Sequence, residues 1–248
     1  MRYKPTPGCQ TSRVANDERN YVKFTFLKMD PAWRRRDPAD RARDKQEFAA
    51  ACADFSDDHF LRAYSLVGTR GDTDLMLRMV TRTIDPIHEF HVVLNQSGLM
   101  QWADVAHSYL AMTKESVYSD EAQPLAPREG SDRKYLIVYP MWKKRSWYAL
   151  EGAERMRIMR GHIETGRKYG DIEINTAYSF GLDDQEFVVS FNTDDPSRFL
   201  DLVQELRSTE SSAYTESETP IFTCLSTSVE RALSALDGQA VAAQPSLA

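Results

Sequence analysis

The chain has 248 residues, enough to bury a large core in one large unit or two ordinary ones. Lys and Arg number 31 against 37 Asp and Glu, a formal charge of −6 spread along the chain, which argues against a nucleic-acid groove or a basic membrane-surface patch. No run approaches the ~18 apolar residues of a membrane span, and Cys9, Cys52 and Cys224 form no C-x-x-C pair, so reduced thiols in a cytoplasmic protein are expected.

Residues 1–20 are polar and irregular and are expected to be a flexible N-terminus. Residues 21–29 alternate aromatic and polar positions, as a half-buried strand does, and 38–55 follow a helical period with Pro38 allowed in the first turn. Two strands joined by a turn are predicted within 59–68 and 73–81, then a helix over 84–98 with a glycine stop at Gly98. The segment 119–133, with two prolines, a glycine and many charges, reads as a flexible connection.

The second part repeats this order. A strand is predicted at 134–142, a helix at 150–166, strands at 172–182 and 186–193, a helix at 196–208 and a strand at 220–226, before a disordered tail at 237–248. Residues 63–81 and 177–193 match even in letters, both opening on Ala-Tyr-Ser. The implied class is α+β: two tandem ferredoxin-like β-α-β-β-α-β halves, 21–118 and 134–236, packed sheet to sheet in a barrel-like arrangement with helices outside.

Of the five histidines, His88 and His91 are spaced i,i+3 in "HEFH", without a third ligand, and read as a packed helix face. His59 and His107 have no constellation. His162 follows Ala153, Met156 and Met159 on a three-to-four-residue stripe that continues to Ile163. One imidazole beside an apolar wall suits either a hydrogen-bonded helix-end histidine or an axial ligand of haem iron.

The segments "YPMWKKRSWYAL", "ERMRIMRGHIETGRKYG", "YSFGLDDQEFVVSF" and "DDPSRFLDLVQELR" together resemble the chlorite dismutase-like superfamily, and within it the coproheme decarboxylases. The resemblance runs from about residue 21 to 224 and is strongest after 139. It implies two ferredoxin-like halves, a haem site in the C-terminal half and a homo-oligomer, commonly a pentamer. It implies peroxide-dependent conversion of iron coproporphyrin III, at once substrate and redox cofactor, to haem b, two propionates becoming vinyls with release of carbon dioxide. A transient contact with a ferrochelatase that delivers coproheme is also implied.

By the same resemblance His162 is the proximal iron ligand and Glu210 the acceptor for its second ring nitrogen. Tyr139 is the redox tyrosine and Lys143 the partner of the reacting propionate; strand offsets of two and four put Tyr139, Met141 and Lys143 on one face. Trp147 and Arg167 match positions near the porphyrin, while Ser211, Ser212 and Arg128 are further propionate candidates. Chlorite-degrading members carry an arginine on the strand after the histidine and firmicute decarboxylases a glutamine. Here that place falls on Ile174 or Asn175, depending on the direction of counting. The alternatives are a chlorite-degrading lyase or haem peroxidase of the same superfamily, or a non-catalytic haem carrier or sensor.

Overall fold

The structure, a computed structural model, describes residues 19–114, 118 and 131–239. Most of the expected flexible ends and of the connecting segment, Arg128 included, lies outside the described residues, but the expected disordered tail starts too early, since Asp237 is held by Arg41 and Lys45.

The first half runs β1 (Tyr21–Met29), α1 (Pro38–Ser56), β2 (Phe60–Ser65), β3 (Leu75–Thr81), α2 (Asp85–Leu94) and β4 (Ala103–Met112). The second runs β5 (Tyr135–Lys143), α3 (Arg145–Ala149), α4 (Gly152–Arg167), β6 (Glu173–Tyr178), β7 (Phe187–Thr193), α5 (Pro196–Arg207), a 3₁₀ turn (Glu210–Tyr214), β8 (Thr215–Ser217) and β9 (Phe222–Thr227); α6 (Val229–Ala235) follows. Asp-Pro pairs start α1 and α5 in the same way. The Asp37 and Asp195 carboxylates accept the N–H groups of Ala39 and Ser197, while Pro38 and Pro196 occupy positions where a missing donor costs nothing.

Within each half the strand order is that of a ferredoxin-like sheet, β4-β1-β3-β2 and β9-β5-β7-β6. The halves join edge to edge where β2 pairs with β9 and Met112 of β4 meets Tyr178 of β6. With β5 paired to β7, eight antiparallel strands close into a barrel, and β8 adds to the edge of β5. Closure leaves no long free edge. The two sheets face each other across a shared core in which Phe24, Phe26, Met76, Leu136, Val138 and Phe222 are buried.

The letter repeat falls on equivalent hairpins. Leu66 N–H donates to Asp74 O and Ser179 N–H to Glu186 O, both at 2.9 Å. Each turn needs a left-handed residue, supplied by Gly68 (φ +84°) and Gly181 (φ +72°). The outer faces are covered separately, by α1 and α2 on the first half and by α4 and α5 on the second. α6 crosses back to the first half, where Ala232, Leu233 and Leu236 pack with Trp33 and Phe48, and Asp237 pairs with Arg41 at 2.9 Å and Lys45 at 3.0 Å.

Candidate functional site

Strand alternation decides what β5 presents. Leu136 and Val138 point into the barrel, so Ile137, Tyr139 and Met141 point outward, into a cluster with Leu202 of α5 and with Tyr169 and Ile172 beyond α4. Tyr139 is buried and stacks on Phe191 of β7 with ring centroids 5.8 Å apart. Burial raises the phenol pKa, and Glu218 adds to the shift, so Tyr139 keeps its proton at neutral pH. A cavity of about 490 Å³ is lined by Tyr139 together with Phe199, Val203, Arg207 and Ile221.

A register shift between Trp142 and Lys143 ends the regular pairing. The Lys143 ammonium reaches Ser211 O at 3.3 Å and Thr215 Oγ1 at 3.2 Å and lies 5.3 Å from the ring centre of Trp147. Its pKa is lowered by burial. Trp147 is buried on α3, a short helix ahead of the one expected at 150–166; Leu150 and Glu151 are extended and separate the two. Glu186 ties this corner together by accepting from Lys143 N at 2.7 Å and Tyr148 Oη at 2.6 Å. Nothing in the sequence pointed to Glu186, because its partners lie 43 and 38 residues away.

His162 sits on α4 with Nδ1 3.0 Å from Ser211 Oγ. Burial, then the neighbouring Lys143 ammonium, pulls its pKa down to about 4, so the imidazole is neutral at physiological pH and able to bind a metal. Two expectations are corrected here. Glu210 does not accept from His162: its carboxylate is exposed and meets Arg157 at 2.8 Å through both oxygens. Ser211, expected near a propionate, is buried and provides the contact to Nδ1 instead, because the 3₁₀ turn points residue 211 inward and residue 210 out. Ser212 anchors that turn by donating its backbone N–H to Thr209 O at 3.1 Å.

The helical stripe is corrected as well. Ala153 is exposed and Met156 is 40% exposed; the one buried residue of α4 is Ile158, and His162 follows it one turn later on the same face. α1 in the equivalent place buries Phe48, Ala51, Cys52 and Phe55. The second half thus leaves its outer sheet face lightly packed under α4. Arg167 ends α4 exposed, with its guanidinium in no ion pair with a described residue.

The register of β6 separates Ile174 from Asn175. Ile174 pairs with outward-facing Phe191, and Asn175 with Ser190, which points into the barrel beside Val188. A methyl group placed on Gly166, one turn beyond His162, would meet Ile174 Cδ1 at 3.8 Å. Ile174 therefore lies on the sheet face that α4 covers, and the surface across from the histidine helix is aliphatic at this point. His91 lies elsewhere with both ring nitrogens engaged, by Thr25 Oγ1 at 2.9 Å and Ile87 O at 2.7 Å.

These residues fit an iron porphyrin with carboxylate arms: a neutral imidazole held through Nδ1, an aliphatic facing strand, and cations at Lys143 and Arg167. The family model described as chlorite dismutase matches residues 41–227. A coproheme decarboxylase of Mycolicibacterium smegmatis is 28% identical over 174 residues, covering 70% of this chain and 75% of that protein. A mutant chlorite dismutase of Candidatus Nitrospira defluvii superposes with a TM-score of 0.82 at 21% identity, covering 90% of this chain and 96% of the other. A heme-binding protein from Thermus thermophilus superposes with a TM-score of 0.78 at 26% identity, covering 88% and 95%. With well over half its length matched by the family model and the same fold in those structures, the chain belongs to the chlorite dismutase family.

Proposed function

We propose that this protein is a coproheme decarboxylase, converting iron coproporphyrin III to haem b with hydrogen peroxide. The observation that carries the reading is Lys143: a largely buried ammonium close enough to His162 to depress its pKa, bonded only to neutral oxygens and in no ion pair with a described residue. Such a cation suits an anionic group brought in by the ligand, and a porphyrin with four carboxylates supplies one.

His162 Nε2 holds the iron, and Ser211 fixes the ring orientation through Nδ1. Lys143 holds the reacting propionate and Arg167 is suited to a second one. The bound iron porphyrin supplies the oxidising capacity once peroxide reaches it. Tyr139, buried and protonated, would give up its phenolic hydrogen and so relay oxidation to the propionate. For each propionate the balance is one carboxylate, one peroxide and one proton giving a vinyl, carbon dioxide and two waters.

The test is to add iron coproporphyrin III to the purified protein, titrate peroxide and weigh the porphyrin products. Loss of two carboxyl groups is expected. Tight binding with intact substrate after peroxide would replace the enzyme reading with a haem carrier.

A further inference from the structure

The barrel interior is apolar over most of its length and polar near the ends of β2 and β3 that begin at Phe60 and finish at Thr81. Met76 and Val80 of β3 belong to the shared core, so Arg78 between them points inward too, and it is 2% exposed. Its register partner on β2 is Arg62, inward by the same parity as Tyr64. Arg78 Nε has no hydrogen-bond partner, and the guanidinium lies 5.4 Å from the ring centre of Phe60. Arg62 donates to a backbone oxygen, that of Ser131. Glu173, an inward carboxylate of the second half, meets Arg133 at 3.8 Å through Oε1, its Oε2 is buried without a hydrogen-bond partner, and it forms no ion pair with either of these arginines.

Opposite Arg62 and Arg78, the duplication puts neutral polar side chains, with Glu173 at the start of that wall. Asn175 pairs with inward Ser190, and Asn192 lies two residues along β7 on the same face; Ser190 and Asn192 are buried. A guanidinium does not shed its proton, so Arg78 is a charge held out of water that forms no ion pair with a described residue. Its cross-strand neighbour is a like charge, which adds repulsion. An anion between the two removes both penalties, and hydroxyl and amide donors on the facing wall suit its remaining oxygens.

We propose that this polar end of the barrel interior binds a small inorganic oxyanion of the phosphate class through Arg62 and Arg78. The site is separate from the porphyrin face, since Arg78 points into the barrel while His162 lies outside it.

The test is a titration of inorganic phosphate at constant ionic strength into ligand-free protein prepared in an anion-poor buffer, followed by calorimetry and thermal unfolding. Saturable binding and stabilisation are expected for the unaltered chain, with chloride at matched ionic strength giving much less. R78M keeps an apolar side chain of similar reach and removes the charge. It should lose phosphate binding, remain at least as stable as the parent in anion-poor buffer, and bind coproheme unchanged. If R78M does not fold, Arg62→Gln carries the test, with an expected loss of about tenfold or more in phosphate affinity. No saturable phosphate binding to the parent, equal stabilisation by chloride, or unchanged affinity in the variant that folds would each overturn the site.

Discussion

The protonation of His162 makes a prediction about the ligand-free chain. The pKa falls from 6.5 to about 4, with burial as the main cause and Lys143 as the second. As pH drops through 6.5 the unfolded chain takes up a proton that the folded chain refuses, so stability is lost between pH 6.5 and about 4 and does not change through this group above or below that window. Integrating the linkage between pH 7 and about pH 4.5 gives a loss of about 2 kcal/mol from this one side chain. Carboxylates titrate over the same range, so the measurement is a difference: urea unfolding at both pH values for the parent and for His162→Leu, which cannot titrate. The parent should lose about 2 kcal/mol more than the variant on acidification. Equal losses, or an NMR titration placing the His162 pKa near 6.5, would refute the desolvated placement of this ring and with it the argument that it is a ready neutral ligand.

Ser211→Ala removes the hydroxyl at Nδ1 and should weaken coproheme binding about 10- to 100-fold with an altered iron spectrum, read by absorbance titration. Tyr139→Phe keeps the stack on Phe191; coproheme affinity should stay within about threefold, since no hydrogen bond of the phenol is lost, while vinyl formation falls to background by mass spectrometry. Lys143→Met keeps a stem against Trp147 but loses the charge, and coproheme affinity should fall about 10- to 100-fold, the worth of a hydrogen bond to a charged group. With haem b bound and chlorite added, an oxygen electrode should record negligible evolution, because Ile174 is uncharged and a positioned donor for a developing oxyanion is worth about 10²–10³ in rate; Ile174→Arg should restore only part of it.

Most strands were legible as short apolar runs bounded by turn residues: β3 and β5 are buried on both faces, and the paired hairpins carry the same Ala-Tyr-Ser opening. β4 was not assigned: Asp104, His107 and Ser108 dilute its alternation, and its burial is concentrated at Tyr109 and Ala111. α6 was missed because its buried face, Ala232 and Leu233, is short and packs on a half nearly 200 residues earlier in the chain. The stripe on α4 misled for a physical reason. Periodicity locates a core-facing side only when a core lies beneath it, and this helix buries one residue. Counting letters left residues 174 and 175 open, since the loop length before β6 sets the parity. The pairs Ile174 with Phe191 and Asn175 with Ser190 settle which points outward. The exchange of Glu210 for Ser211 is of the same kind, two adjacent residues separated by the direction of a single 3₁₀ turn.

The duplication also bears on why the proposed site lies in one half. Both sheets carry two helices on their outer face, and each must exclude water from the strands below. The first half does so with large side chains: Trp33, Phe48, Leu77, Leu94 and Leu99 are fully buried, and α6 adds Leu233 and Leu236. The second half places Ile158 and then His162 where α1 has its row of core residues, and puts Gly166 one turn on, opposite Ile174. An unfilled apolar layer is unstable unless something occupies it. A flat, largely apolar macrocycle with charged arms meets that demand, whereas a small polar substrate would leave the 40%-exposed Ile174 uncovered. The same residues that make the second half a poor core make it suited to a porphyrin. Ligand-free protein should accordingly be less stable than loaded protein by the binding free energy available at the working ligand concentration.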